Sequence, residues 1–400
     1  MLSSLFLAAI FAVGGSTTLQ RFVAPPKTFN LLQYGGVGDG VTLNTRAFAA
    51  AVAAANEYYS TTGAPGVVQV PPGVYLSGQV GLLSGVTLFV SSGARVLASA
   101  NASDYPTDQN LWGFIVSVGA VDIGITGSGG VIDGNFERYI GGFNAAWDEF
   151  VPTGWPNCAG ECRPRLVKLM DTQRISVSSV SFVGSPDWTF HLLNCSHVHV
   201  YNWSQHGDER WPNNDGIDID SSSHVLVEDS TIDTADDGVC IKGSTVGGAS
   251  VNVTVRRSRI RSRSSAVKYG SNCPIPMVNH TFEDLVIVDS NRGLALQARD
   301  GGSISDIVFR RILINGTRFW PWKWWGVSPA FPASLLRCPP PSCLSSHAHA
   351  HTRTHNHKTS VRARASTKQT TTNSGWGSLV HQQHAQRRHR PGDPGFTSAV

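Results

Sequence analysis

The sequence predicts an all-β chain, a parallel β-helix closed at one end by a short N-terminal capping helix. Three observations carry this. Of 400 residues, 41% are hydrophobic and only 15% charged, with 41 glycines, which excludes a coiled coil, a helical bundle and a charge-rich disordered chain. From about residue 79 onward, runs of 4–8 residues with period-two alternation are separated by Gly/Asn/Asp/Ser turns, the pattern of strands. Four of these runs also align. Ile217, Val239, Val267 and Leu294 head the similar segments IDID, VCIK, VKYG and LALQ at spacings of 22, 28 and 27 residues, a period of stacked solenoids. Strands without a second helical pattern make the solenoid a β-helix, each coil burying its Ile, Val and Leu against the next.

The elements follow in order. Residues 5–13 are an apolar run before Gly14, Gly15 and Ser16, as in a secretory leader, and a signal peptide over 1–18 is expected. Six Asn-x-Ser/Thr sequons (Asn101, Asn194, Asn202, Asn252, Asn279 and Asn315) point the same way. No apolar run reaches the roughly 18 residues of a membrane span. Residues 29–42 give a short strand and a glycine-rich turn; its GGVGDG lacks the GK[ST] ending of a phosphate loop. The Ala-rich stretch 45–59 ends before Gly63 and is the one helix. Residues 67–78 are strand–turn–strand, and the β-helix is expected over 27–325. After Trp325 the alternation stops, and the Ser/Thr/His/Arg-rich residues 326–400 are expected to be a disordered tail. Seven cysteines are too few for a disulfide scaffold, but Cys158 and Cys162 are spaced for a local bridge.

The net charge of +4 is uneven. Beyond residue 346 there are 8 Lys/Arg and one acid, while the first 346 residues hold 24 Lys/Arg and 27 Asp/Glu. The body is mildly acidic, which removes the main support for a nucleic-acid partner. Its acids concentrate in NNDGIDIDSS (213–222) and ADDGVCIKG (235–243). Asp215 and the pair Asp236–Asp237 occupy equivalent turns just ahead of Ile217 and Val239. Neighbouring coils lie about 4.8 Å apart, so three carboxylates converge. Like charges that close oppose joint ionisation, and at least one proton should be held. An acid that keeps its proton beside anionic neighbours is the division of labour of glycoside hydrolysis, inverting when a water fits between the groups.

NNDGIDIDSS followed by DDGVCIK resembles the NTD and DD motifs of glycoside hydrolase family 28, the polygalacturonase-like enzymes. FNLLQYGGVGDGVTLNT, VQVPPGVYLSG, RPRLVKLM and SPDWTFHLLNC also look like that family, and the resemblance covers roughly residues 28–326. It implies a right-handed parallel β-helix that hydrolyses α-linked galacturonate in pectin without metal or cofactor. Carried over by position, Asp236 is the general acid, Asp215 and Asp237 activate water, and Asn213 helps shape the site. Two motifs depart from the pattern: Ser265 stands where the family places the histidine of GHG, and Ala295–Leu296–Gln297 where it places RIK.

Compensating cations are at hand. Lys242 and Lys268 point outward if Val239/Ile241 and Val267/Tyr269 point inward, and Arg263, Arg292 and Arg299 flank the same coils. Lys268 and Arg299 are the favoured partners of a substrate carboxylate. Trp188, Trp203 and Trp211 are sugar-stacking residues or core. The expected protein is a secreted, cell-wall-acting monomer with a polysaccharide partner. Two alternatives remain: a calcium-dependent pectate-lyase-like enzyme with Lys268 as base, and a non-catalytic carbohydrate-binding β-helix.

Overall fold

The computed structural model describes residues 24–155, 162–244, 248–298, 300–326 and 360–363. Strands build a right-handed parallel β-helix with three faces per coil. One coil consists of Ile217–Asp220, Ser223–Glu228 and Thr231–Thr234; each strand pairs in parallel with its counterpart one coil on, Val239–Lys242, Ser250–Arg256 and Arg259–Ser262. The register read from the sequence holds residue for residue: Ile217 pairs with Val239, Val239 with Val267, and Val267 with Leu294. The buried column extends back to Phe190, and half-buried Trp322 continues it forward. Val198, Val225 and Val253 line the second face, and Ile232, Ile260 and Ile287 the third. The apolar alternation thus fills one continuous core.

Left-handed residues close the corners. His197, His224, Asn252, Asn279 and Asp306 form one column at φ between +55° and +63°. Asn and Asp tolerate this region; the histidines stack instead, with rings 4.9 Å apart and 3° from parallel.

The helix spans Thr45–Thr62, three residues beyond the predicted end, and stops at Gly63 with φ +74°. In the added turn the Ser60, Thr61 and Thr62 hydroxyls donate to the carbonyls of Asn56, Glu57 and Tyr58, and Tyr59 donates to Asp122 at 2.6 Å. Ala47, Phe48, Ala51, Val52 and Ala55 face the first coil, covering an end that would otherwise expose its core. No helix among the described residues is long and apolar enough to cross a membrane.

Two features were not legible. A hairpin, Ile140–Asn144 with Glu149–Pro152, leaves the coil, and beside it Tyr105, Tyr139, Trp155 and Trp211 form a second apolar cluster. Ser360–Ala363, inside the segment expected to lack strands, pairs antiparallel with Ile304–Arg310. Its Val361 sits opposite Phe309 on the last open edge. The remaining tail and residues 1–23 lie outside the described residues, as does Cys158. Cys162 is disulfide-bonded, while Cys195, Cys240 and Cys273 are buried.

Candidate active site

The first face and the turns that enter it carry the acids. Asp215 and Asp237 occupy equivalent positions on neighbouring coils, each followed by a glycine that the stacking requires. A Cβ on Gly216 would lie 2.3 Å from the Gly238 carbonyl oxygen, and one on Gly238 would lie 2.5 Å from Ile260. The Gly216 amide donates to the Asp237 carbonyl at 2.9 Å, which locks the two turns together. Oxygens of Asp215 and Asp237 and the Cys240 sulfur all lie within 4.8 Å of one another. This trio could gather round a cation, but two ammonium groups, those of Lys242 and Lys268, already face it.

Asn214 builds the second turn. Its Oδ1 accepts from the amides of Ala235 and Asp236 at 2.8 and 3.2 Å and from the Thr234 hydroxyl at 2.8 Å. Asn213, the residue expected to shape the site, stands at φ +61° and accepts from buried Arg163 at 2.9 Å. The turn on which Asp236 sits depends on Asn214. Below the pair, the Ser262 hydroxyl donates to the Asp236 carbonyl at 2.5 Å and Ser264 to Asp237 Oδ1 at 2.9 Å.

The surroundings push the three carboxyls in different directions. Burial, then Asp218 and Asp236, push Asp215 well above the ordinary carboxylate range, and its buried Oδ1 has no hydrogen-bond partner. Burial and then Asp237 also raise half-buried Asp236. Burial is the largest influence on Asp237 as well, but Lys268, Lys242 and the Ser264 hydroxyl outweigh it and hold that carboxyl low. Lys268 Nζ lies 2.5 Å from Asp237 Oδ2.

Sequence reading passed over the outward residues of IDID. Asp218 lies 3.2 Å from Lys242 Nζ, and burial raises it to about 6. Asp220 lies 3.4 Å from His191, whose ring burial pushes down to about 3. Lys242 reaches toward Asp215 at 3.8 Å. Lys242 Nζ and Arg165 Cζ each lie 3.9 Å from the Trp188 ring centroid. Period two alone pointed to Asp218 and Asp220, since residues flanking inward Ile219 must face outward. Of the three tryptophans, Trp203 and Trp211 are fully buried in core clusters, and Trp188 alone reaches the site face.

The altered positions also resolve. Ser265 is buried, and its hydroxyl accepts from Arg292 Nε at 2.9 Å. Ala295 is buried and pairs in register with Lys268, so a cation stands one coil before the position that lacks one. Gln297 is buried. Arg263 is committed to the hairpin, donating to the carbonyls of Asp148 and Glu209 at 3.1 and 3.0 Å. Arg299 lies outside the described residues.

Fold and site together define a right-handed parallel β-helix with a partly neutralised carboxylate cluster on one face. Residues 61–320 match the family model described as glycosyl hydrolases family 28, and the chain belongs to that family. It is 29% identical over 319 residues to a "Probable polygalacturonase" of Vitis vinifera, across 74% of this chain and 62% of the relative. An exo-poly-alpha-D-galacturonosidase of Dickeya chrysanthemi is 27% identical over 347 residues, across 74% and 56%. The chain therefore spans about three fifths of the length of these curated relatives. Among solved structures, the hyperthermoactive exopolygalacturonase of Thermotoga maritima superposes with a TM-score of 0.61 at 23% identity, covering 75% of this chain and 78% of that one. The Yersinia enterocolitica family 28 exopolygalacturonase gives 0.58 at 18%, covering 75% and 64%. These structures share the fold.

Proposed function

We propose that this chain is a glycoside hydrolase that cleaves α-linked galacturonate-type bonds in pectin-like polysaccharide, with inversion. The observation that carries the proposal is the split ionisation of three acids on two adjacent coils. Asp236 retains a proton and serves as general acid. Anionic Asp237 deprotonates the attacking water, and Asp215, pushed well above its ordinary range, helps orient that water. Lys242 and Lys268 balance the charge of the cluster as the proton passes to Asp237, and Lys268 and Arg299 remain the candidate partners for a substrate carboxylate. Family membership and the polygalacturonase names of the relatives support the substrate class.

The same proposal places the working protein outside the cell as a monomer acting on cell-wall polysaccharide, with a leader at 1–18, the catalytic β-helix at 27–325 and the tail at 326–400. All six sequon asparagines are exposed, which supports export. A lyase would need a neutral base, and Asp237 holds Lys268 protonated, above its ordinary range. Burial of Ser265, Ala295 and Gln297 at the altered positions favours a second reading, a carbohydrate-binding β-helix without turnover. Reducing-end release from polygalacturonate and related pectins by the full chain decides between the readings. No release on any pectic polymer by folded protein overturns hydrolysis.

A further inference from the structure

We propose that Arg292 is a positioning residue for Asp237, acting through Ser264. The inference rests on the catalytic reading of the acid cluster. Ser265 and Arg292 pair in register on adjacent coils, so the guanidinium reaches back onto the coil that faces Asp237. Its Nε donates to Ser265 Oγ at 2.9 Å and its Nη2 to Ser264 Oγ at 2.8 Å. Ser264 Oγ in turn donates to Asp237 Oδ1 at 2.9 Å. A serine hydroxyl has one proton. With Arg292 donating into the oxygen, that proton is committed to Asp237, and the charged donor polarises the hydroxyl and strengthens its bond.

The backbone enforces the arrangement: the Arg292 amide donates to the Ser264 carbonyl at 2.9 Å, and the Ser264 amide to Ser262 Oγ at the same distance. A guanidinium fork spans two consecutive hydroxyls in one plane, which a lysine ammonium does not reproduce. The other charged or titratable groups around Asp237 are Lys268, Lys242, Asp215, Asp236, Asp218 and Cys240. The lysines pull from the Oδ2 side, where Lys268 is bound. Among the described residues Ser264 is the one side chain that donates to Oδ1, so it fixes the carboxylate's rotation, and Arg292 fixes Ser264.

The test compares full-length wild type with Arg292→Ala, Arg292→Lys, Ser264→Ala and the Ser264→Ala/Arg292→Ala double variant. Carbon-13 carboxyl NMR, with Asp237 assigned through Asp237→Asn, should show its titration moved upward in Arg292→Ala and Ser264→Ala, and no further in the double variant. On galacturonate oligomers, kcat should fall about ten- to a hundredfold, the range for losing a hydrogen bond to a charged group, with KM nearly unchanged. Added guanidinium ion should partly restore Arg292→Ala and not Ser264→Ala, and Arg292→Lys should stay impaired. Wild-type titration and turnover in Arg292→Ala, or losses that add in the double variant, would overturn the assignment. Ser264→Ala removes no charge and carries the same predicted shift if an Arg292 variant fails to fold. Absence of hydrolysis by wild type overturns the functional reading, while the titration still decides the Arg292–Ser264–Asp237 link.

Discussion

Two stacks of charge climb this solenoid, and they behave in opposite ways. At the edge that ends the second face, Glu228, Arg256, Glu283 and Arg310 stack in register on successive coils. Beside them Arg257 bonds Asp229 and Glu228 at 2.7 Å, and Arg311 bonds Asp284 at 2.6 Å and Glu283 at 3.0 Å. All four of these acids are held below their ordinary range: Asp229, Glu283 and Asp284 chiefly by their arginines, and Glu228 by His199 and two arginines against desolvation. On the first face, Asp215 and Asp237 occupy equivalent turns with Asp218 and Asp236 beside them, all but Asp236 are buried, and the cluster shares two lysines. Three of the four are raised. In-register acids are therefore a property of the fold. Burial with too few cations is what makes a chemical site.

The largest effect that would break this contrast is on activity. Asp236→Asn, Asp215→Asn and Asp237→Asn should each lower kcat by about 10²–10⁴-fold, the range for removing a positioned acid or base, whereas Asp284→Asn in the edge stack should leave it unchanged. Steady-state assays on galacturonate oligomers read both. An Asp284→Asn loss comparable to Asp236→Asn would erase the distinction.

Stability should separate the stacks next. Lys268→Met leaves buried Asp237 without its ammonium partner and should cost about 3–5 kcal/mol, read as a lower urea midpoint. Arg311→Gln should give a small loss that fades as salt is added, because exposed pairs are screened.

The pH dependence sharpens the contrast further. Folding raises Asp218 from 3.8 to about 6, so the folded chain holds that proton more tightly than the unfolded chain. Wild type thus loses this contribution as pH rises from about 4 to 6. The Tm of Asp218→Asn relative to wild type should climb through that window and level off above it. The lowered acids of the edge stack have the opposite sign: their contribution is present above the unfolded carboxylate value and is lost as pH falls. Relative to wild type, Asp284→Asn should therefore lose stability at neutral pH and recover it in acid, a smaller effect than that at Asp218.

Much of this was legible in the sequence. Coil register was written in Ile217, Val239, Val267 and Leu294, because inward positions must match when each coil packs on the last. The three acids followed from that register. The edge stack was also written, as ED, RR, ED and RR at 228, 256, 283 and 310, whose alternating sign marks a self-neutralising stack. What the sequence hid depends on side-chain reach. Nothing local in NRGLA shows that Arg292 bends back to two serines, or that Lys268 commits itself to Asp237. Asn213 attracted attention by motif position, while the clamp on the Asp236 turn belongs to Asn214, which gave no separate signal. The hairpin at 140–152 was missed because its alternation is short and its glycines read as a turn.

The central claim is that these acids cleave a glycosidic bond with inversion. Proton NMR of the anomeric signals in the first minutes of α-linked oligogalacturonide digestion by the full chain tests it most directly. The account predicts β-configured reducing ends from wild type and none above background from Asp236→Asn. Product of α configuration, unsaturated product, or equal turnover by Asp236→Asn would contradict it.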